Sequence, residues 1–125
     1  MDGRHKVAGI GGVFFKARDA AALRDWYRLH LGIDVQPWGG CAFSSGGGDT
    51  TVWSVMEQGN AYFDPSTAPF MINYRVADLH GLLAQLRAEG CAVDAKVDAS
   101  EYGKFGWVMD PEGNRIELWE PPAGP

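Results

Sequence analysis

The sequence is poor in the residues that build disulfide, zinc, membrane and nucleic-acid-binding proteins. Cys41 and Cys91 are its only cysteines, and neither lies in a CxxC or Cys/His cluster. No apolar stretch reaches the ~20 residues of a membrane span, and residues 1–6 lack the apolar segment of a secretory signal. The 11 basic residues are outnumbered by 16 acidic ones, and the net charge of −5 disfavours nucleic acid and anionic membranes as partners. We therefore expect a cytoplasmic protein with reduced structural thiols.

What the chain does contain indicates a folded domain. Apolar residues make up 46% of the sequence and aromatic residues 12%, which is typical of a globular protein. A chain of 125 residues buries one core rather than two independent ones. We predict a single domain over residues 1–125.

Within that domain, one plan of elements occurs twice. A strand at 7–17 and a strand at 70–76 each lead into a helix with an Asp cap, Asp19 and Asp78, and a glycine stop, Gly32 and Gly90. Three further strands are predicted after each helix, at 33–35, 41–44 and 50–56 and then at 91–97, 105–109 and 116–119. The sequence therefore predicts two similar modules, 7–57 and 70–121, joined by a connector at 58–69.

The last two strands form a predicted hairpin around a Pro and Gly turn at 110–114. Alternation puts Glu117 on the same sheet face as Arg115 and Trp119, while Ile116 and Leu118 take the other face. If the apolar face packs on the helices, Glu117 points into whatever the sheet encloses.

Three motifs carry a resemblance to a known family. They are Asp110-Pro-Glu-Gly-Asn-Arg-Ile-Glu-Leu118, Trp26-Tyr-Arg-Leu-His-Leu-Gly-Ile33 and Val76-Ala-Asp78. The chain resembles the vicinal oxygen chelate superfamily, which includes glyoxalase I, ring-cleaving dioxygenases and bleomycin-resistance proteins. The resemblance implies an α+β fold of two βαβββ modules, with a cup-shaped mixed β-sheet, helices outside, a ligand pocket inside and often a homodimer. It leaves open whether the modules pair within a chain or across a dimer.

Metal-dependent members of that superfamily hold a divalent ion with His, Gln or Glu on four strands. The matching positions here are Gly12, Met71 and Glu117, together with Trp53 on the fourth strand, where a shift of two residues in register stays open. One carboxylate does not make a metal site. We predict no metal site and no cofactor, with a divalent metal as the alternative.

Alternation along the strands also predicts the residues that bind a ligand. Tyr102 is a candidate for closing the mouth, and Trp38, Trp53 and Trp107 are either pocket walls or ordinary core. The predicted ligand-binding residues are Phe14, Lys16, Trp53, Asn73, Arg75, Tyr102, Trp107, Arg115 and Trp119. Aromatic walls with a few charges suit a small organic ligand that has an aromatic part and a polar or anionic group, with Arg75 as the oxygen clamp.

Glu117 has two interpretations. It forms a structural salt bridge with Lys16, Arg75 or Arg115, which we favour. Alternatively, it has no fixed cation, desolvation raises its pKa, and it acts as a catalytic general base on an acidic proton of the ligand.

Three functions follow, in order of preference. The first is a small-molecule-binding protein like the bleomycin-resistance branch, without the full metal site. The second is a glyoxalase-like lyase or isomerase, or a dioxygenase-type enzyme, that uses Glu117 as base or metal ligand. The third is a dimeric module that binds a partner protein, which a cup filled by Trp53, Trp107 and Trp119 would favour.

Overall fold

A computed structural model of the chain describes residues 4–44 and 48–122, which form one eight-stranded sheet and two α-helices. A short 3₁₀ helix, Ala61–Phe63, lies in the connector. The strands are β1 (Val7–Ala17), β2 (Gly40–Ser44), β3 (Thr50–Glu57), β4 (Phe70–Val76), β5 (Ala92–Val93), β6 (Asp98–Ser100), β7 (Gly103–Met109) and β8 (Arg115–Glu120). The helices are α1 (Ala20–Leu31) and α2 (Leu79–Ala88).

The sheet joins the two modules side by side. Its order is β2-β3-β1-β4-β8-β7-β5, with β6 paired to β7. β1 is parallel to β3 and β4 is parallel to β8, while β1 and β4 pair antiparallel at the centre. The modules therefore pair within one chain. The predicted α+β fold with two helices against a mixed sheet is confirmed.

Both predicted helix caps are present. The Asp19 side chain accepts a hydrogen bond from the Ala22 amide at 3.0 Å, and the Asp78 side chain accepts one from Gly81 at 3.0 Å. Gly32 ends α1 in the left-handed region, with φ of 67°. The helices that follow β1 and β4 therefore begin at the Asp caps that the sequence predicts.

The core between α2 and the sheet follows the predicted alternation. Leu79, Leu82 and Leu83 pack on Val108 and Leu118, which come from β7 and β8. A second buried cluster lies on the opposite, concave face of the sheet. It consists of Phe14, Phe63, Met71 and Trp107.

Two predicted strands were wrong. Residues 33–35 form no strand, because the segment is tied to α1, where Arg28 Nε and Nη2 donate to the Val35 carbonyl at 3.3 and 3.0 Å. The predicted strand 91–97 shrinks to Ala92–Val93, because the Asp94 side chain accepts from the Lys96 amide at 2.9 Å and turns the chain. The segment after it, where no strand is predicted, contains β6, which pairs with β7.

In the described part of the chain, neither helix is long and apolar enough to cross a membrane.

We expect Leu83→Ala to lower the free energy of unfolding by about 2–5 kcal/mol, because it opens a cavity between α2 and the sheet. Leu29→Ala on α1 is the matched control, since Leu29 is 78% exposed and Leu83 only 1%. Its effect should stay within about 0.5 kcal/mol. Urea unfolding of both variants measures the difference, and equal losses would contradict the packing described here.

Candidate functional site

Glu117 lies on the concave face of β8 and is 1% exposed. Its Oε1 accepts a hydrogen bond from Asn73 Nδ2 at 2.6 Å, and its Oε2 accepts one from Trp107 Nε1 at 3.0 Å. The Tyr62 hydroxyl also donates to Oε2. Three neutral donors therefore hold this carboxylate.

Strand register brings two of these donors to Glu117. Asn73 on β4 and Trp107 on β7 are its direct cross-strand partners on either side. Directly paired residues share a face of the sheet, so the three side chains meet on the concave side.

The third donor comes from the connector rather than from a strand. The 3₁₀ helix Ala61–Phe63 places Tyr62 edge-on to Trp107, with ring centroids 6.2 Å apart, and its hydroxyl reaches Glu117. Next to it, Phe63 is fully buried against Met71 and Trp107. The connector therefore closes one end of the cup and completes the surroundings of the carboxylate.

Burial dominates the electrostatics of this cluster. Desolvation raises the pKa of Glu117 above its ordinary value, while the hydrogen bonds from Tyr62, Asn73 and Trp107 and the charge of Arg115 oppose that rise. Burial, together with the negative charge of Glu117, raises the pKa of Tyr62. Tyr62 therefore stays a hydrogen-bond donor at neutral pH.

No cation forms an ion pair with Glu117 among the described residues, so the favoured salt-bridge interpretation was wrong. Arg115 pairs instead with Asp94 at 3.2 Å, with its guanidinium carbon 5.0 Å from the centre of the Trp107 ring. Lys16 lies over the Phe63 ring at 5.0 Å.

The open end of the cup encloses a cavity of about 830 Å³. Glu117 and Asn73 line it. Phe105 and Trp119 form a stacked aromatic pair along one side, with ring centroids 6.1 Å apart and ring planes 6° from parallel. Its remaining lining is Phe14, Trp38, Ala42, Gly48, Asp49, Thr50, Val52, Arg75, Glu101, Tyr102, Pro121 and Pro122.

Gly11 in β1 lets two cavity-lining side chains pack directly against the strand. The strand register shifts between Ile10 and Gly12, so Gly11 lies in a bulge. A Cβ at Gly11 would lie 2.2 Å from Asn73 Oδ1 and 2.9 Å from the Trp119 ring. A larger residue at this position would therefore clash with both side chains and displace them.

The structure brings together most of the predicted ligand-binding residues. Those that line the cavity are Phe14, Asn73, Arg75, Tyr102 and Trp119, along with Glu117. Lys16, Trp107 and Arg115 lie on the concave side but around its closed end.

Trp53 does not face the cup. It contacts Phe15 and Tyr27 edge-on, at 5.7 and 4.9 Å between ring centroids, on the helix side of the sheet. The reason is register, because β1 pairs Gly12 with Val52, which moves Trp53 to the opposite face.

Several residues of the site were missed as site residues, among them Tyr62 beside Glu117 and Val52, Phe105, Asp49 and Glu101 in the cavity lining. Tyr62 was placed in the connector without a role, because nothing in its local sequence signals that its hydroxyl reaches a strand 55 positions away. Val52 follows from the corrected register, and Phe105 is the cross-strand partner of Trp119. Only Phe105 was within reach of sequence reasoning, since the predicted hairpin pairs it with Trp119.

The four positions of the superfamily's metal ligands do not form a metal site here. Phe14 stands five residues before Asp19, as Asn73 stands five before Asp78, and the register pairs Phe14 with Ser54 as it pairs Asn73 with Glu117. The counterpart of Glu117 is therefore Ser54 rather than Trp53.

The resulting set of donors is poor for a divalent ion. It comprises Gly12, Ser54, Met71 and Glu117, which offer no side chain, one hydroxyl, one thioether and one carboxylate. That carboxylate already accepts three hydrogen bonds. In residues 4–44 and 48–122, no three His, Cys, Asp or Glu side chains form a group able to hold a metal. These residues do not fit the superfamily's metal.

Comparisons with known proteins agree with the fold. The model of the glyoxalase-like domain family matches residues 12–119, so the chain belongs to the glyoxalase-like domain family. A comparison with curated proteins found no match.

Solved structures of the same fold include two methylmalonyl-CoA epimerases. The Mycobacterium tuberculosis enzyme is 19% identical, with a TM-score of 0.67, and the match covers 98% of this chain and 94% of that one. A Streptomyces coelicolor epimerase variant in complex with 2-nitronate-propionyl-CoA is 16% identical, with a TM-score of 0.70 over 94% of this chain and 100% of that one.

A third similar structure is a glyoxalase/bleomycin resistance protein/dioxygenase superfamily member from Vibrio splendidus. It is 13% identical, with a TM-score of 0.59, and the match covers 93% of this chain and 98% of that one. At these identities the three structures establish the fold of the chain and leave its ligand open.

The raised pKa of Glu117 predicts a pH dependence of stability. A carboxyl whose folded pKa lies above its unfolded value binds its proton more tightly in the folded state, so stability falls as pH rises from the ordinary value of 4.5 to the folded pKa. Glu117→Gln has no such charge to bury. As the pH rises across this window, the wild type should therefore lose stability that Glu117→Gln keeps. We expect the free energy of unfolding of the variant to rise relative to that of the wild type.

Urea unfolding of the two proteins from about pH 4 to about pH 8 measures this change. Glu112→Gln, in the exposed turn between β7 and β8, is the control and should stay parallel to the wild type. Parallel curves for Glu117→Gln as well would show that burial does not perturb the carboxyl.

Proposed function

We propose that the protein binds a small aromatic molecule in the open cup, without a metal ion. The observation that carries this proposal is the cavity of about 830 Å³ with Phe14, Trp38, Phe105 and Trp119 along its walls. Cavities of this size and lining accommodate organic ligands, with a few polar groups fixing their orientation.

The aromatic walls favour a flat ligand. Phe105 and Trp119 lie nearly parallel, and Trp119 Nε1 donates to the Tyr102 carbonyl at 2.8 Å, which fixes the indole. Trp38, 55% exposed, lines the same cavity from the segment before β2. A ring held against such preorganised walls loses little side-chain entropy from the protein on binding.

The contacts of Glu117 support a binding role. Asn73, Trp107 and Tyr62 hold the carboxylate, so Glu117 ties two strands of the second module to the connector at the floor of the cup. A module for a partner protein with a filled cup is less well supported, because Trp107 is buried at the closed end, Trp53 lies outside the cup, and Trp119 leaves a cavity beside it. The homodimer and the cytoplasmic location stay predictions.

We expect Trp119→Ala to weaken binding of naphthylmethanol, a neutral two-ring probe, by about tenfold, because one aromatic wall is lost. Isothermal titration calorimetry on untagged protein, before and after chelator treatment, measures the affinity. Chelation should change neither the affinity nor the melting temperature, since no metal takes part.

Trp26→Ala is the matched control. Trp26 is half exposed on α1 and lines a separate surface groove rather than the cup, so its loss should leave the affinity unchanged. Stoichiometric metal in the purified protein, or equal losses in the two tryptophan variants, would overturn the proposal.

A second candidate function is a glyoxalase-like isomerase or lyase with Glu117 as general base. The favouring observation is that Glu117 lines the cavity with a raised pKa, while among the described residues its Oε1 accepts one bond, from Asn73. A carboxylate oxygen has two lone pairs, so Oε1 keeps one for a substrate proton.

Exchange of substrate protons with solvent separates the two functions. Methylmalonyl-CoA is a suitable carbon acid, since an epimerase of this fold has been solved in complex with it. If the chain only binds ligands, deuterium incorporation from D₂O should be equal for wild type and Glu117→Gln, as followed by mass spectrometry. Incorporation that the variant loses would establish the base and favour the enzyme.

A further inference from the structure

The charged groups of the cup are mostly acidic. In the described part of its lining, Asp49, Glu101 and Glu117 stand against a single cation, Arg75. Even with Glu117 neutral, the lining keeps one more carboxylate than cation. A cavity with this balance raises the local concentration of cations and disfavours anions.

Arg75 is committed to the protein itself. Its Nη1 donates to the Ile10 carbonyl at 2.6 Å and to the Thr50 carbonyl at 2.9 Å, and its Nη2 lies 3.5 Å from the Asp49 carboxylate. These contacts join β1, β4 and the start of β3. The guanidinium is therefore poorly placed to clamp a ligand oxygen, which was its predicted role.

The carboxylate of Glu101 lies at the rim of the cup. It is exposed, lies next to Tyr102 in the turn between β6 and β7, and lines the cavity. In the described part of the chain, no cation lies within ion-pair distance of its carboxylate.

We propose that the cup selects a flat aromatic cation, whose ring lies along Phe105 and Trp119 and whose ammonium or protonated amino group meets the carboxylate of Glu101. This inference rests on the proposed binding function and narrows its ligand class. Aromatic faces add to the preference, since they attract cations at close range.

Three probes with the same two-ring body test the charge. Naphthylmethylamine is a cation with N–H donors at neutral pH, naphthylmethanol is its neutral isostere, and naphthoate is an anion. By calorimetry, we expect the amine to bind about tenfold tighter than the alcohol and naphthoate to bind weakest. The advantage of the amine should shrink as salt is added.

A pair of variants locates the effect. Glu101→Gln should weaken the amine about threefold and leave the alcohol unchanged, because it removes the rim charge and little else. Glu112→Gln removes the same charge from the exposed turn after β7 and should change neither.

The possible outcomes distinguish a failure of the charge preference from a failure of the proposed binding function. If the alcohol or naphthoate binds as tightly as the amine, or Glu101→Gln affects amine and alcohol alike, the charge preference is wrong while the binding function stands. If none of the three probes binds, both are wrong.

Discussion

The structure depends on the burial of one carboxylate. Glu117 is almost fully enclosed, and an enclosed carboxylate is stable only if donors replace the water it loses. Those donors come from three separate elements, Asn73 on β4, Trp107 on β7 and Tyr62 in the connector. Each one fixes a different boundary of the cup. Glu117 thus links β4, β7 and the connector through hydrogen bonds. These bonds fix the positions of the elements that surround the cavity.

The two modules contribute unequally to that arrangement. They are joined by the antiparallel pairing of β1 with β4, yet the three donors to the carboxylate found in the described residues belong to the second module or the connector. The first module supplies mainly space and wall, through Gly11 and Gly12 in β1, Val52 in β3 and Trp38 before β2. The two modules therefore have different roles. The second module and the connector hold the carboxylate, and the first module forms an apolar wall of the cup.

Sequence patterns predicted the features that depend on local chemistry. The caps at Asp19 and Asp78 and the inward direction of Glu117 follow from spacing and alternation alone, and so does the presence of Asn73 on the same face. The patterns failed where long-range register decides. Trp53 lies in a strand with alternating faces, but the sequence does not show which face points into the cup. Only the pairing of β3 with β1 decides that Trp53 lies on the helix side. Tyr62 lies in a segment without periodicity, so its reach to Glu117 depends on a fold that already exists. Residues 33–35 contain two β-branched residues, which favours a strand. In the structure, however, the Arg28 side chain donates hydrogen bonds to the Val35 carbonyl.

The same carboxylate explains why the superfamily's metal and this cup are alternative solutions. A metal ion neutralises a buried carboxylate with positive charge, and it needs three more ligands from neighbouring strands. Here those positions hold Gly12, Ser54 and Met71, while neutral donors take the place of the cation around Glu117. Burial still raises the pKa of Glu117, because neutral donors replace only part of the hydration that the carboxylate loses. Arg75 is held by backbone carbonyls and Asp49, so the rim carboxylate of Glu101 has no opposing cation in the described lining. Hydrogen bonds in place of a metal therefore leave the cup without the positive centre that would hold an oxygen anion.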